Sequence, residues 1–138
     1  MKPILLDTGV IVALLDRSER MHLRCAEEVR RLEAPLVTCE AVIAESCYLV
    51  RNLRGAPEAI LENVVRGIFQ IPFQLSREAG GVRAILRKFQ DRKIDVADAC
   101  LIHLANEFES GEILTLDTDF EVYRWGKNKT FRLLPRQA

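Results

Sequence analysis

Residues 3–15 read PILLDTGVIVALL, two apolar runs with Asp7-Thr8-Gly9 between them. Pro3 to Leu6 is a short continuous apolar run, the pattern of a strand covered on both faces. Asp7 stands where that strand ends, and a helix is expected directly after it. The chain repeats the theme downstream. Ile113 to Leu116 is a second apolar strand, and it ends in Asp117. Between these two, Leu36 to Thr38 and Ile68 to Phe73 are further strand candidates, the latter weakened by Pro72. Phe131 to Leu134 reads as a last, edge strand. Helical patterns separate the strands. Residues 20–33 place Leu23, Ala26, Val29 and Leu32 on one face, and Pro35 ends them. Residues 40–53 form another helix, broken by Gly55-Ala56-Pro57. A helix starting near Pro57 runs to about Gly67. Residues 76–90 start at a Ser76 cap, although Gly80-Gly81 costs about 1 kcal/mol per glycine relative to alanine. Residues 95–109 are the strongest helix, with Gly111 as its stop. Short apolar strands alternating with helices predict an α/β fold with a parallel sheet covered on both faces. In such sheets ligands bind outside the carboxyl ends of the strands.

With 138 residues, 49% hydrophobic and 29% charged, the composition is that of one globular domain spanning 1–138. Lys+Arg and Asp+Glu are both 20. Zero net charge excludes a uniformly basic nucleic-acid coat but leaves local patches open. No apolar run is long enough to span a membrane, and the start does not read as a signal peptide. Cys25, Cys39, Cys47 and Cys100 form no C-x-x-C pair and are expected as buried, reduced thiols in a cytoplasmic protein. No Cys/His spacing predicts a structural zinc site, and His22 and His103 read as structural or surface residues.

The chemistry lies in the acids. Asp7 and Asp117 each follow an apolar strand, where a bare turn or cap is the plain alternative. Glu45 has Ala41, Val42, Tyr48 and Leu49 three and four residues away, which places it on an apolar, core-facing stripe. An unpaired charge there is costly. Asp98 has Leu101 and Ile102 at the same spacings, while Asp95 reads as the N-cap of that helix. Clustered carboxylates raise each other's pKa unless a cation compensates. All-oxygen donors without His or Cys fit Mg²⁺ or Mn²⁺. Such ions serve hydrolysis of phosphodiesters by in-line displacement. Thr8 and Thr115 are close enough in sequence to hold a carboxylate or water, or simply to pack.

LLDTG, AVIAES, IDVADACLIHLA and LTLDTDF, in this order over residues 1 to about 134, resemble the PIN-domain family, and within it the VapC-type ribonuclease toxins. The resemblance implies a three-layer α/β/α sandwich around a mainly parallel sheet. It implies Mg²⁺- or Mn²⁺-dependent RNA cleavage with Asp7, Glu45, Asp98 and Asp117 as catalytic and metal-binding acids, and Asp119 as a possible outer acid. It further implies a homodimer and a cognate antitoxin protein that blocks the site.

Charge is segregated along the chain. Residues 95–121 carry eight acids and no Lys or Arg, while residues 122–138 carry five bases and no acid. Residues 83–93 carry Arg83, Arg87, Lys88, Arg92 and Lys93 against Asp91 alone. Basic segments beside an acidic pocket suit RNA held by its phosphates, with Arg87, Lys88, Arg124, Lys127 and Lys129 as contacts. Tyr123 and Trp125 could add stacking. A solvated helix face is the plain alternative for 83–93. Three other functions compete. A phosphatase using Asp7 as nucleophile would want an acid where Gly9 stands. A flap-type DNA nuclease would need more chain. A catalytically silent RNA- or protein-binding module needs no intact acid set.

Overall fold

The computed structural model describes residues 1–136. Its elements are β1 (Ile4–Leu6), α1 (Thr8–Leu15), α2 (His22–Arg31), β2 (Leu36–Val37), α3 (Glu40–Leu49), α4 (Ala56–Val65), β3 (Phe69–Gln70), α5 (Leu75–Lys88), α6 (Val96–Phe108), β4 (Glu112–Leu114), β5 (Arg124–Trp125), β6 (Lys129–Thr130) and β7 (Arg132–Leu134). Five strands form a sheet in the order β3-β2-β1-β4-β7, and every pairing in it is parallel. Helices flank the sheet, as an α/β/α sandwich requires. Within them α1 packs on α2 and α3, α3 on α4, and α5 on α6. No helix among the described residues is long and apolar enough to cross a membrane.

The centre of the sheet is the PILL run. Ile4, Leu5 and Leu6 are all buried, and burying each such side chain contributes about 1.5–3 kcal/mol. That burial holds a three-residue strand whose own ladder is short. β1 pairs with β2 on one side and β4 on the other. The strand order therefore reverses between β1 and β4, the place where α/β sheets open a crevice at their carboxyl ends. The Asp7 N–H donates to the Leu114 carbonyl at 2.9 Å, fixing the end of β1 against β4 just where the chain turns into α1. On the far side, α6 has seven consecutive buried residues, Ala99 to Ala105, so it is a core helix rather than an amphipathic surface one.

Several elements differ from the sequence reading. β3 has two residues instead of six because Pro72, lacking an N–H, cannot extend a ladder. α5 begins at Leu75 after Gln74 rather than at a Ser76 cap; the Gln74 N–H is taken by Glu78 Oε2 at 2.9 Å. On α2 the buried positions are Cys25 and Glu28, while Leu23 is exposed. Glu28 is accommodated by a 2.7 Å ion pair to Arg31. The segment read as a basic tail folds into a β5/β6 hairpin around Gly126, Lys127 and Asn128. Gly126 and Asn128 take positive φ there, as tight turns demand. The Gly126 N–H donates to Asn106 on α6 at 2.6 Å. The Phe131–Leu134 expectation is met by β7 at the sheet edge. The four cysteines are free thiols; Cys25, Cys39 and Cys100 are buried as expected, while Cys47 is only partly so.

Candidate active site

Asp7 is the N-cap of α1 and is 7% exposed. Each of its two oxygens accepts one hydrogen bond. Oδ1 accepts the Thr8 N–H at 2.8 Å, and Oδ2 accepts the Thr115 hydroxyl at 2.7 Å. The same Thr115 oxygen accepts the Asp117 N–H at 3.0 Å, so one hydroxyl positions both strand-end acids. Asp117 Oδ1 in turn accepts the Asp119 N–H at 2.9 Å, an Asx turn that starts the short 3₁₀ turn over Thr118–Glu121. Asp98 lies in the first turn of α6, its N–H bonded to the Asp95 carboxylate at 2.8 Å. Asp95 is thus the N-cap the sequence predicts.

Asp7, Asp98 and Asp117 each present a carboxylate oxygen within 4.8 Å of the others. Together with Thr8, Gly9, Glu45, Asp95 and Leu116 they line a cavity of about 300 Å³. The arrangement shows in their acidities. Burial pushes the Asp7 carboxyl up to about 6 against the lowering effect of its two donors, with Asp117 and Glu45 adding repulsion. Asp98 rises to about 8, first from burial, then from the charges of Asp7, Asp95, Asp117 and Asp119. Buried Tyr123, close to the same acids, is held above its ordinary value.

Glu45 reaches this cavity by a different route from the one its spacing suggests. The buried stripe of α3 is Val42, Ile43 and Ser46, followed by Val50, and Tyr48 and Leu49 are exposed. The stripe is shifted by one position because Ser46 is buried at no polar cost, its hydroxyl donating to the Val42 carbonyl at 2.7 Å. Glu45 therefore sits at the exposed border of the helix. The Thr8 hydroxyl donates to its Oε1 at 2.7 Å and turns it into the cavity. Asp119 is exposed and is not among the lining residues. Thr8 and Thr115, left open between packing and holding a carboxylate, both hold carboxylates.

The basic residues fall elsewhere. Lys88 on α5 and Arg124 on β5 line one cavity of about 120 Å³ with Phe89, Asn106, Trp125 and Gly126. Two basic segments remote in sequence thus meet. Arg124 spends Nη1 on the carbonyls of Glu121, Val122 and Tyr123 at 2.9–3.0 Å. Lys129 sits over the Trp125 ring at 4.8 Å from its centroid. Arg87 and Lys127 are exposed. A separate groove of about 540 Å³, which the sequence did not signal, gathers Arg24 and Arg31 from α2 with Arg132 and Arg136 from the edge of the sheet, Arg31 paired with Glu28 and Arg132 with Glu112 in the same lining.

The family model described as PIN domain matches residues 4–126. Ribonuclease VapC26 of Mycobacterium tuberculosis (strain ATCC 25618 / H37Rv) is 31% identical over 116 residues, which is 83% of this chain and 86% of that protein. The crystal structure of Mycobacterium tuberculosis VapC20, described as a sarcin-ricin loop cleaving toxin, superposes with a TM-score of 0.79 at 16% identity. The match covers 91% of this chain and 98% of that one, and at such identity it speaks for the fold alone.

Proposed function

This chain belongs to the PIN-domain family, and from that premise we propose that it is a metal-dependent endoribonuclease, the toxin of a toxin–antitoxin pair. The observation that carries the reading is the convergence of Asp7, Asp98 and Asp117 on one cavity at the β1/β4 crevice. The name of the 31% identical relative supports RNA as the substrate.

The donor set fits a hard divalent cation. Three carboxylates within 4.8 Å, two of them with raised pKa values, form a site that is unfavourable without compensating positive charge. All donors are oxygen, the preference of Mg²⁺ and Mn²⁺. Asp7, Asp98 and Asp117 would hold the ion, with Glu45 beside them. Bound there, it supplies Lewis acidity for an in-line displacement at phosphorus. The chain's own part is positional. The Thr115 hydroxyl and the Thr8 N–H fix the Asp7 carboxylate, and Thr115 also fixes the start of the Asp117 turn. Thr8 holds Glu45 through Oε1, so Oε2 is the atom we assign to accept a proton from the attacking water. A residue fixed at one oxygen and free at the other keeps its orientation through the proton transfer.

A partner protein finds support in the surface. Tyr48, Leu49, Leu61 and Val65, on the packed pair α3 and α4, are more than half exposed. Large exposed apolar side chains on a packed helix pair suit an interaction face, and an antitoxin or a second copy of this chain would cover them.

The test is cleavage of a structured RNA panel by purified protein with Mg²⁺, Mn²⁺ or EDTA, beside Asp98→Asn. Metal-requiring cleavage that is lost in the variant is expected. Cleavage that persists in Asp98→Asn, or in EDTA, would overturn the site.

A further inference from the structure

Two sequence features take no part in the acidic cavity: the Gly80-Gly81 pair inside α5 and His103 inside α6. The structure brings them together. A Cβ added at Gly81 would lie 2.7–2.8 Å from the His103 ring, so the glycine lets α5 close onto α6 over the imidazole. Phe73 meets the same ring edge-on, with centroids 6.0 Å apart. His103, 9% exposed, is thereby fixed. Its Nε2 faces Glu78 Oε1 at 3.0 Å and Glu107 Oε1 at 3.5 Å. Glu78 is itself fixed, because its other oxygen accepts the Gln74 N–H at 2.9 Å. Glu107 is four residues after His103, so the two share one face of α6.

We propose that Glu78, His103 and Glu107 form a second divalent-metal site, for an ion of the Zn²⁺ class, bridging α5 and α6. The geometry favours it. An ion with bonds of about 2.0–2.2 Å holds adjacent ligand atoms about 3 Å apart in an octahedron and about 3.5 Å apart in a tetrahedron. The Nε2–Oε1 separations of 3.0 and 3.5 Å fall within the range of such edges, and all three ligand atoms lie within 4.8 Å of one another, close enough for small side-chain rotations to bring them onto one ion. One imidazole nitrogen with two carboxylates suits a borderline ion rather than the harder Mg²⁺ expected of an all-oxygen set. Two carboxylates also neutralise a dication. The Gln74 N–H on Glu78 is the kind of outer support that orients a ligand. None of the three residues lines the acidic cavity, so the site stands whether or not that cavity cleaves RNA. An ion here ties α5 to the helix that carries Asp98 and stabilises the folded chain by mass action.

The experiment is a Zn²⁺ titration of the full chain in an Asp98→Asn background, read by calorimetry, thermal unfolding and the imidazole NMR signals of His103. One equivalent should bind, raise the unfolding temperature and shift the His103 signals. His103→Ala should abolish all three effects. Glu107→Gln, at a half-exposed position where folding is not at stake, should weaken binding by roughly tenfold or more. Equal Zn²⁺ uptake in the parent, His103→Ala and Glu107→Gln would overturn the site. So would His103 signals that stay unmoved at millimolar Zn²⁺, which would leave the cluster holding a proton only.

Discussion

The carboxyls of Asp98 and Asp7 are the two held above the ordinary carboxylate range, and the effect on stability has a testable sign. Both carboxyls titrate above the ordinary 3.8 when folded, at about 8 and about 6. An acid whose folded pKa is raised binds protons more tightly in the folded state, so its contribution is fully present below about pH 4. It is lost as pH rises through the folded value. Without metal, the unfolding temperature in EDTA should fall between about pH 4 and pH 8. In Asp98→Asn that fall should be much flatter, and the variant should be more stable at pH 8 by about 1–2 kcal/mol. The full shift does not convert, because solvent screens the partly exposed carboxyl. A parent protein whose stability is level across this range would contradict the crowding. Thr115→Val gives the complementary result. It strips a donor from Asp7 Oδ2 and an acceptor from the Asp117 N–H, at about 1–3 kcal/mol for the groups left unpaired. Asp7 should then titrate higher still, moving the acid limb of cleavage upward in a pH–rate profile. These acids were legible in sequence because strand ends and helix first turns are local features. Which carboxylate Thr8 holds was not, since the Thr8–Glu45 bond joins residues 37 apart. Glu45 was found for a partly mistaken reason, its supposedly buried stripe being half exposed.

At the scale of elements, α5 and α6 show how a local propensity rule is overridden by packing. Gly80-Gly81 reads as a weakness in a helix, and by propensity it is one. Yet α5 is unbroken from Leu75 to Lys88, and at Gly81 it sits so close to the His103 ring of α6 that a Cβ would collide with it. Gly81→Ala should destabilise the protein by about 1–3 kcal/mol through overpacking against the fixed His103 ring, despite alanine's better propensity. Adding His103→Ala opens the space, and the double variant should recover much of the loss relative to His103→Ala alone. Chemical denaturation of the four proteins in the cycle gives the coupling energy. Additive effects would mean the two helices do not meet through this pair. Gly80, with open space beside it, is the control: Gly80→Ala should be neutral or stabilising. Strand lengths were the least legible elements for a related reason. Each parallel strand here is only two or three residues long, so its ends are set by neighbouring strands rather than by its own run of apolar residues. The β5/β6 hairpin was hidden because basic residues mask the pattern of two two-residue strands.

Over the whole molecule, zero net charge conceals a separation that the fold sharpens. Of the eight acids in residues 95–121, Asp95, Asp98 and Asp117 line the cavity at the β1/β4 crevice, while Lys88 of α5 and Arg124 of the hairpin are brought to another cavity. We expect RNA to run from the acidic cavity over that basic surface. Arg124 contributes least, being held by three carbonyls of its own chain; Arg87, Lys88, Lys127 and Lys129 remain as phosphate partners. For single-stranded RNA each phosphate contact contributes about 0.7 to the slope of log affinity against log salt. Replacing Arg87, Lys88 and Lys127 together by alanine should therefore flatten the slope by about 2. Fluorescence anisotropy with an Asp98→Asn background, which keeps the RNA intact, measures it. An unchanged slope with unchanged affinity would redirect the path to the arginine-lined groove. There Arg24, Arg31, Arg132 and Arg136 line their groove, and Arg136 also borders the pocket that holds Asp117. The same titration on Arg24→Ala/Arg132→Ala then separates the two routes, because only the surface that carries the backbone can lose salt dependence when its cations are removed.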